Sequence, residues 1–297
     1  MSHKKIVNKT KFIRSIIILA VVVLIGVFTL NYISKKNNNK SEVIAKTEVE
    51  EETKTEEVST KNIETTSKLQ EKLKTGKYLS SDGLPVLMYH FFYDKSKGET
   101  AKDGNWIEIS DFEEQVKYLA ENDFYFPTWQ EVEDYIDEKT ELPEKSVVIT
   151  VDDGDPTFFD LAVPIIQKYN VQATSFVVAY WYGDRAENKE QNISYQSHSY
   201  DMHKAGSNGK GAMLSLSNDK IKEDLELSSQ VLGGATIFCY PFGHYNENCF
   251  KVLKDAGFKL AFTVEGGRVT KKANKYKLPR VRISGNTSIS AFIKKVE

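Results

Sequence analysis

Val147-Val148-Ile149-Thr150-Val151-Asp152-Asp153-Gly154 decides the reading of this chain. A run of β-branched residues suits a strand covered on both faces. This one ends on two adjacent carboxylates and a glycine. Neighbouring aspartates at a buried strand end resist desolvation and raise each other's pKa. A bound cation or a proton-transfer task would account for that cost, whereas an Asp-Gly turn would need neither. The stretch alone leaves both readings open.

Outward from it, strand-like and helix-like segments alternate. Leu84 to Tyr89 reads as a first buried strand ending at His90. Asp111 to Asn122 has helical spacing with Ser110 as N-cap, and Thr128 to Glu138 forms a second helix. After the opening strand come a helix over Pro156 to Tyr169 and a strand over Ala173 to Val178. A charged helix follows over Leu214 to Val231, then a strand over Ala235 to Tyr240. A helix over Asn246 to Ala256 and strands over Leu260 to Val264 and Val281 to Ser284 precede a short helix from Ser288. This alternation implies a mainly parallel sheet, open or closed into a barrel, with its chemistry at the C-terminal strand ends. His90, Asp152, Asp153 and Pro241-Phe242-Gly243 all fall there.

The N-terminal part is of another kind. Ser15 to Ile33 is apolar and uncharged, long enough at 1.5 Å per residue to span a bilayer core of about 30 Å. Lys4, Lys5, Lys9, Lys11 and Arg14 precede it, which places the bulk of the chain outside the cell. We therefore expect a cytoplasmic segment 1–14, a single-pass signal-anchor 15–34, a disordered Glu/Lys/Thr-rich tether 35–79, and a globular domain 80–297. The tail of the tether, Lys68 to Leu73, has the composition to dock on the domain. A formal charge of −2 over 297 residues gives no electrostatic case for nucleic acid. Cys239 and Cys249 read as buried small residues, since two cysteines make no disulfide scaffold.

Ser197-His198-Ser199-Tyr200-Asp201-Met202-His203 holds two of the five histidines. Their spacing is not that of one helix face. They are either surface histidines or, with an aspartate, a three-ligand set for Zn²⁺ that leaves a position for water.

Taken together, Thr150-Val151-Asp152-Asp153-Gly154, His198 to His203, Tyr240-Pro241-Phe242-Gly243 and Leu278-Pro279-Arg280 resemble the motifs of the polysaccharide deacetylases, the carbohydrate esterase 4 or NodB-homology family. The longer histidine spacing resembles the poly-N-acetylglucosamine deacetylase branch. The resemblance implies a distorted (β/α) barrel of about seven parallel strands. It implies a divalent metal, Zn²⁺ or alternatively Co²⁺, held by Asp153, His198 and His203. Asp152 would be the general base and the Phe242 N–H an oxyanion donor. The substrate would be an N-acetylated cell-surface glycan, peptidoglycan or a poly-N-acetylglucosamine, reached from the membrane. An O-acetyl esterase and a catalytically weak glycan-binding protein are the alternatives.

Two departures accompany the resemblance. Thr236, Ile237 and Phe238 stand where the family carries an arginine behind the base, so Arg280 or Arg282 would have to orient Asp152. The usual Leu-x-His is absent, which leaves His90 as general acid or as a structural histidine. Asp155 reads as the cap of the next helix. Tyr180, Trp181 and Tyr182 could form a sugar platform or pack on the rim, and Trp106 lies in a long polar loop.

Overall fold

The computed structural model describes residues 67–187 and 189–297. The expected membrane segment and most of the tether lie outside the described residues. Among the described residues no helix is long and apolar enough to cross a membrane.

Residues 67–73 are helical (α1) and bury Leu69. Tyr78 then bridges Pro143. The compact unit thus begins at Lys68, ahead of the Ser80 start expected from composition. The reason is local: Leu69 is buried and Leu73 partly buried against the cluster of Val132, Tyr135 and Leu142, the docking expected of the tether's tail.

From there the order is β1 (Val86–Tyr89), β2 (Phe91–Tyr93), β3 (Trp106–Glu108), α2 (Ile109–Glu121), α3 (Trp129–Ile136), β4 (Val148–Val151), α4 (Val163–Lys168) and β5 (Ala173–Val177). Then come α5 (Ala179–Ala186), β6 (Ile193–Ser197), α6 (Asn218–Val231), β7 (Ile237–Cys239), α7 (Glu247–Asp255), β8 (Leu260–Gly266), β9 (Leu278–Arg282) and α8 (Ile289–Val296). Seven parallel strands close in the order β1-β4-β5-β6-β7-β8-β9, with β9 paired back to β1. This is the barrel that the alternation and the resemblance led us to expect.

Alternation along the strands sorts the side chains. Val86, Val148, Phe176, Ile237, Leu260 and Leu278 share one cluster, closed by Trp129 against Phe262 (5.3 Å between rings). Leu87, Ile149 and Val151 join a second cluster with Phe112, Ile166 and Phe292 from α2, α4 and α8. Period-two alternation therefore points residues 148, 150 and 152 inward, with Asp152 uppermost. A cavity of about 180 Å³ lies at the opposite mouth, beside Trp129 and the starts of β4 and β5, and none of the side chains described below lines it.

Three local readings are corrected. Helix α2 starts at Ile109 and is capped by Glu108, whose carboxylate accepts from Ser110 N (2.7 Å). The helix after Asp155 widens to a π turn over Phe158–Ala162, because Pro164 has no N–H to return to the carbonyl of Asp160. The last strand runs over Leu278–Arg282 rather than from Val281. Asp155 does cap its helix, accepting from Thr157 N (2.9 Å) and Oγ1 (2.7 Å).

Strand β6 leads directly into His198 and pairs with β7 at one position, Ser197 to Phe238. The Gln196 side chain makes up the difference: its Oε1 accepts from Thr236 N (3.0 Å) and Ile237 N (2.9 Å).

Candidate active site

The strand ends bring the expected residues to one mouth. Asp152 and Asp153 follow β4, and His198 follows β6. Pro241-Phe242-Gly243 follows β7, while His90 links β1 to β2. The turn after β4 is tight. Asp153 has φ 74°, and Gly154 (φ 71°) leaves no room for a Cβ, which would meet Val177 Cγ1 at 3.0 Å. Asp153, Ser199 and Phe242 are all non-glycine residues in the left-handed region, a conformation held only where surroundings enforce it.

Asp153 Oδ1 lies 3.3 Å from His198 Nε2 and 3.3 Å from His203 Nε2. His198 Nδ1 donates to the Cys239 carbonyl (2.8 Å), which fixes the ring and turns Nε2 toward Asp153. Burial pushes the Asp153 carboxyl up, but the two imidazoles outweigh it and hold it well below the carboxylate range.

Asp152 is buried and faces an arginine. Arg280 Nη1 and Nη2 each donate to one of its oxygens at 2.7 Å, a bidentate pair. Arg280 itself has no exposed surface. Its Nε donates to Thr263 O (3.0 Å), Nη1 also to Thr150 Oγ1 (3.1 Å) and Nη2 to Cys239 Sγ (3.0 Å). Burial raises the Asp152 pKa, and the guanidinium more than reverses this, bringing it to about 2. Asp152 is therefore ionised and rigidly oriented. Arg282, the other candidate, is exposed and donates to Asn105 (2.5 Å), away from the pair.

His90 Nε2 stands 3.7 Å from Asp152 Oδ2. Burial pushes its pKa below 6.5 against the pull of Asp152 and Asp153. Phe242 packs on His203 (4.3 Å between rings) with its side chain half exposed. Trp181, on α5, meets His203 edge-on at 5.3 Å and is 45% exposed, so it stands at the mouth of the site; Tyr182 packs on Trp181. Tyr180 leans on Tyr200, while Trp106 stacks on Phe91 (5.0 Å) under Lys102.

Two groupings among the described residues have the donor types and spacing for a cation: Asp153 with His198 and His203, and Asp152 with His198 and Cys239. In the second, both carboxylate oxygens already accept from Arg280, and burial pushes the Cys239 thiol up, keeping it protonated. A cation there would meet a guanidinium. The first offers one carboxylate and two imidazoles with no competing cation, a set suited to a divalent ion with a position left open.

Cys239 is what the sequence reading missed. It was expected only to be buried, and it is, yet its carbonyl orients His198 and its sulfur touches Arg280 and lies 3.5 Å from Asp152. The available signal was parity: it lies two residues past inward-facing Ile237.

A bidentate arginine behind one aspartate and two histidines on its neighbour define a barrel hydrolase site. The chain belongs to the polysaccharide deacetylase family, whose family model matches residues 139–261. It is a polysaccharide deacetylase, a hydrolase acting on amide bonds. A poly-beta-1,6-N-acetyl-D-glucosamine N-deacetylase of Staphylococcus aureus (strain MRSA252) is 32% identical over 214 residues, which is 66% of this chain and 73% of the relative. The protein of that name from Staphylococcus epidermidis is 28% identical over 207 residues, 63% of this chain and 71% of its own. The fold is shared with IcaB from Ammonifex degensii (TM-score 0.61, 24% identity, 74% of this chain and 98% of that one). It is shared also with the Streptococcus pyogenes deacetylase PplD (TM-score 0.61, 23% identity, 72% and 98%).

Proposed function

We propose that this protein removes N-acetyl groups from a poly-β-1,6-N-acetylglucosamine-type surface polysaccharide, outside the cell, with a divalent metal held by Asp153, His198 and His203. The observation that carries the reading is the Arg280–Asp152 pair set beside that ligand trio. The relatives that match over most of their length bear the name of that activity, which supports the polymer as substrate. The apolar segment 15–34 would tether the domain to the membrane, facing the polymer.

A divalent ion at the trio would polarise the acetyl carbonyl and lower the pKa of a coordinated water. The protein's own groups supply the rest. Asp152, ionised and held by Arg280, accepts a proton from the attacking water. The Phe242 N–H lies on the loop beside His203, where it can meet the developing oxyanion. His90, near Asp152 on the other side, delivers a proton to the departing amine. Trp181 and Phe242 offer apolar faces at the rim for a sugar ring.

Arg280 on β9 stands behind Asp152, which removes one of the two supports of a catalytically weak binding module, the missing arginine; the missing Leu-x-His remains. The test is acetate release by the full-length protein from poly-β-1,6-N-acetylglucosamine, peptidoglycan and acetylated xylan in parallel. The expected result is amide hydrolysis on the first polymer. It should be lost on chelation, restored by Zn²⁺ or Co²⁺, and reduced at least roughly 10²-fold in Asp152→Asn. Preferential ester cleavage, or full activity in Asp152→Asn, would overturn the proposal.

A further inference from the structure

His198 is fixed by strand pairing, donating its N–H to Val177 O (2.9 Å). His203 has no such support, since residues 199–203 belong to neither strand nor helix. An irregular segment carrying a ligand needs its backbone groups satisfied if the ligand is to stay in place. On one side α5 does this: Ala179 N donates to Ser199 O (3.1 Å) and Tyr180 N to Tyr200 O (2.9 Å). Met202 N donates to Ser199 Oγ (3.1 Å). The N–H groups of Tyr200 and Asp201 are taken up by a residue far along the chain. Asp224, on α6, accepts from Tyr200 N at Oδ1 (2.7 Å) and from Asp201 N at Oδ2 (2.8 Å).

One turn further along the same helix face, Ser228 Oγ shares a hydrogen bond with Ser197 Oγ (2.7 Å), which accepts from Ser199 N (3.1 Å). Buried Ile221 and Leu225 anchor α6 to the domain. Asp224 lies in neither cation-binding grouping, so it is no ligand.

We infer that Asp224 and Ser228 are positioning residues, a two-point brace from α6 that sets the His198–His203 separation and thereby the metal affinity. The inference rests on the metal role proposed above. An ionised carboxylate is suited to the task because each oxygen takes one N–H, and charge-assisted bonds are the stronger kind. In Asp224→Asn one oxygen still accepts, but the amide NH₂ faces the second N–H, donor against donor. The α5 bonds remain, so the loop loosens while the domain stays folded.

The experiment titrates Zn²⁺ and Co²⁺ into full-length wild-type protein, Asp224→Asn and Ser228→Ala, purified in detergent, against a chromophoric chelator. It also records the visible Co²⁺ spectrum and the melting temperature of each metal-free protein. Outer-shell partners of a metal site typically contribute 10- to 100-fold in affinity. We expect a loss of at least about tenfold in Asp224→Asn, with an altered Co²⁺ spectrum and a metal-free melting temperature close to that of wild type. A smaller loss with an unchanged spectrum overturns the brace. If Asp224→Asn fails to fold, Ser228→Ala decides: weaker metal binding at an unchanged melting temperature supports the brace, and wild-type affinity overturns it. Wild-type protein that takes up neither ion overturns the metal reading and the brace together, a result visible before any variant is compared.

Discussion

Arg280→Met tests the buried pair at its strongest point. Methionine has similar length and no charge, so the substitution strands Asp152, itself 2% exposed, without its partner. Two charge-assisted bonds of 2.7 Å are lost, at about 1.5–3 kcal/mol each. Breaking a buried ion pair from one side typically costs about 3–5 kcal/mol, and that is the expected loss at pH 7. The pH dependence follows from the direction of the shift. In the wild type the Asp152 pKa is depressed from 3.8 to about 2, which corresponds to about 2.5 kcal/mol of stabilisation. That stabilisation is fully present above 3.8 and lost as pH falls through about 2. In the variant burial is no longer opposed by the guanidinium, only by the weaker pull of His90 and His198, so the folded pKa rises and the folded state gains a proton on acidification. The gap between the two proteins should therefore narrow from pH 7 toward pH 4. Adding Asp152→Asn removes the stranded charge and should restore about 2 kcal/mol or more of coupling in a double-mutant cycle. The assay is urea denaturation of the metal-free domain from Lys68, followed by tryptophan fluorescence. Additivity within about 0.5 kcal/mol, or a gap that does not change with pH, would refute the reasoning.

Three further outcomes are expected. His90→Gln should lower kcat about 10²-fold with little effect on melting, and an unchanged kcat would remove His90 from proton delivery. Trp181→Ala should raise KM about three- to tenfold with kcat intact, as loss of one stacking face implies; a purely kcat effect would mean that Trp181 serves by holding His203. Leu69→Ala should cost about 2–5 kcal/mol in unfolding free energy, and wild-type stability would return residues 67–73 to the tether.

How much was legible depends on what each segment asks of its side chains. β4 announces itself because four buried positions, three of them valine or isoleucine and one threonine, run into two charges that a core would otherwise expel. β6 is silent: Ile-Ser-Tyr-Gln-Ser is mostly half-buried, and its inward glutamine spends its amide on stapling β7 instead of filling a core. Arg280 was open between two arginines because residues 278, 280 and 282 share a parity. Depth, which periodicity does not carry, buries Arg280 and leaves Arg282 at the rim. The small sheet of β2 and β3, and α5, passed unnoticed because their aromatics read equally well as loop contacts. Residues 67–73 dock as the tail of the tether was expected to, because Leu69 and Leu73, four apart, share one helix face in an otherwise polar stretch.

Arg280 sits on the last strand of the ring, and its partner lies just after the second, 128 residues earlier. β9 reaches β4 only across β1, so Asp152 acquires its guanidinium when β9 pairs with β1, the contact that closes the ring. Until then Asp152 is an ordinary, solvated aspartate. Chain fragments that lack β9 cannot assemble the pair, whatever motifs they retain. Chain order thus sets the timing: the Asp152 carboxylate gains its partner only with the seventh strand of the ring.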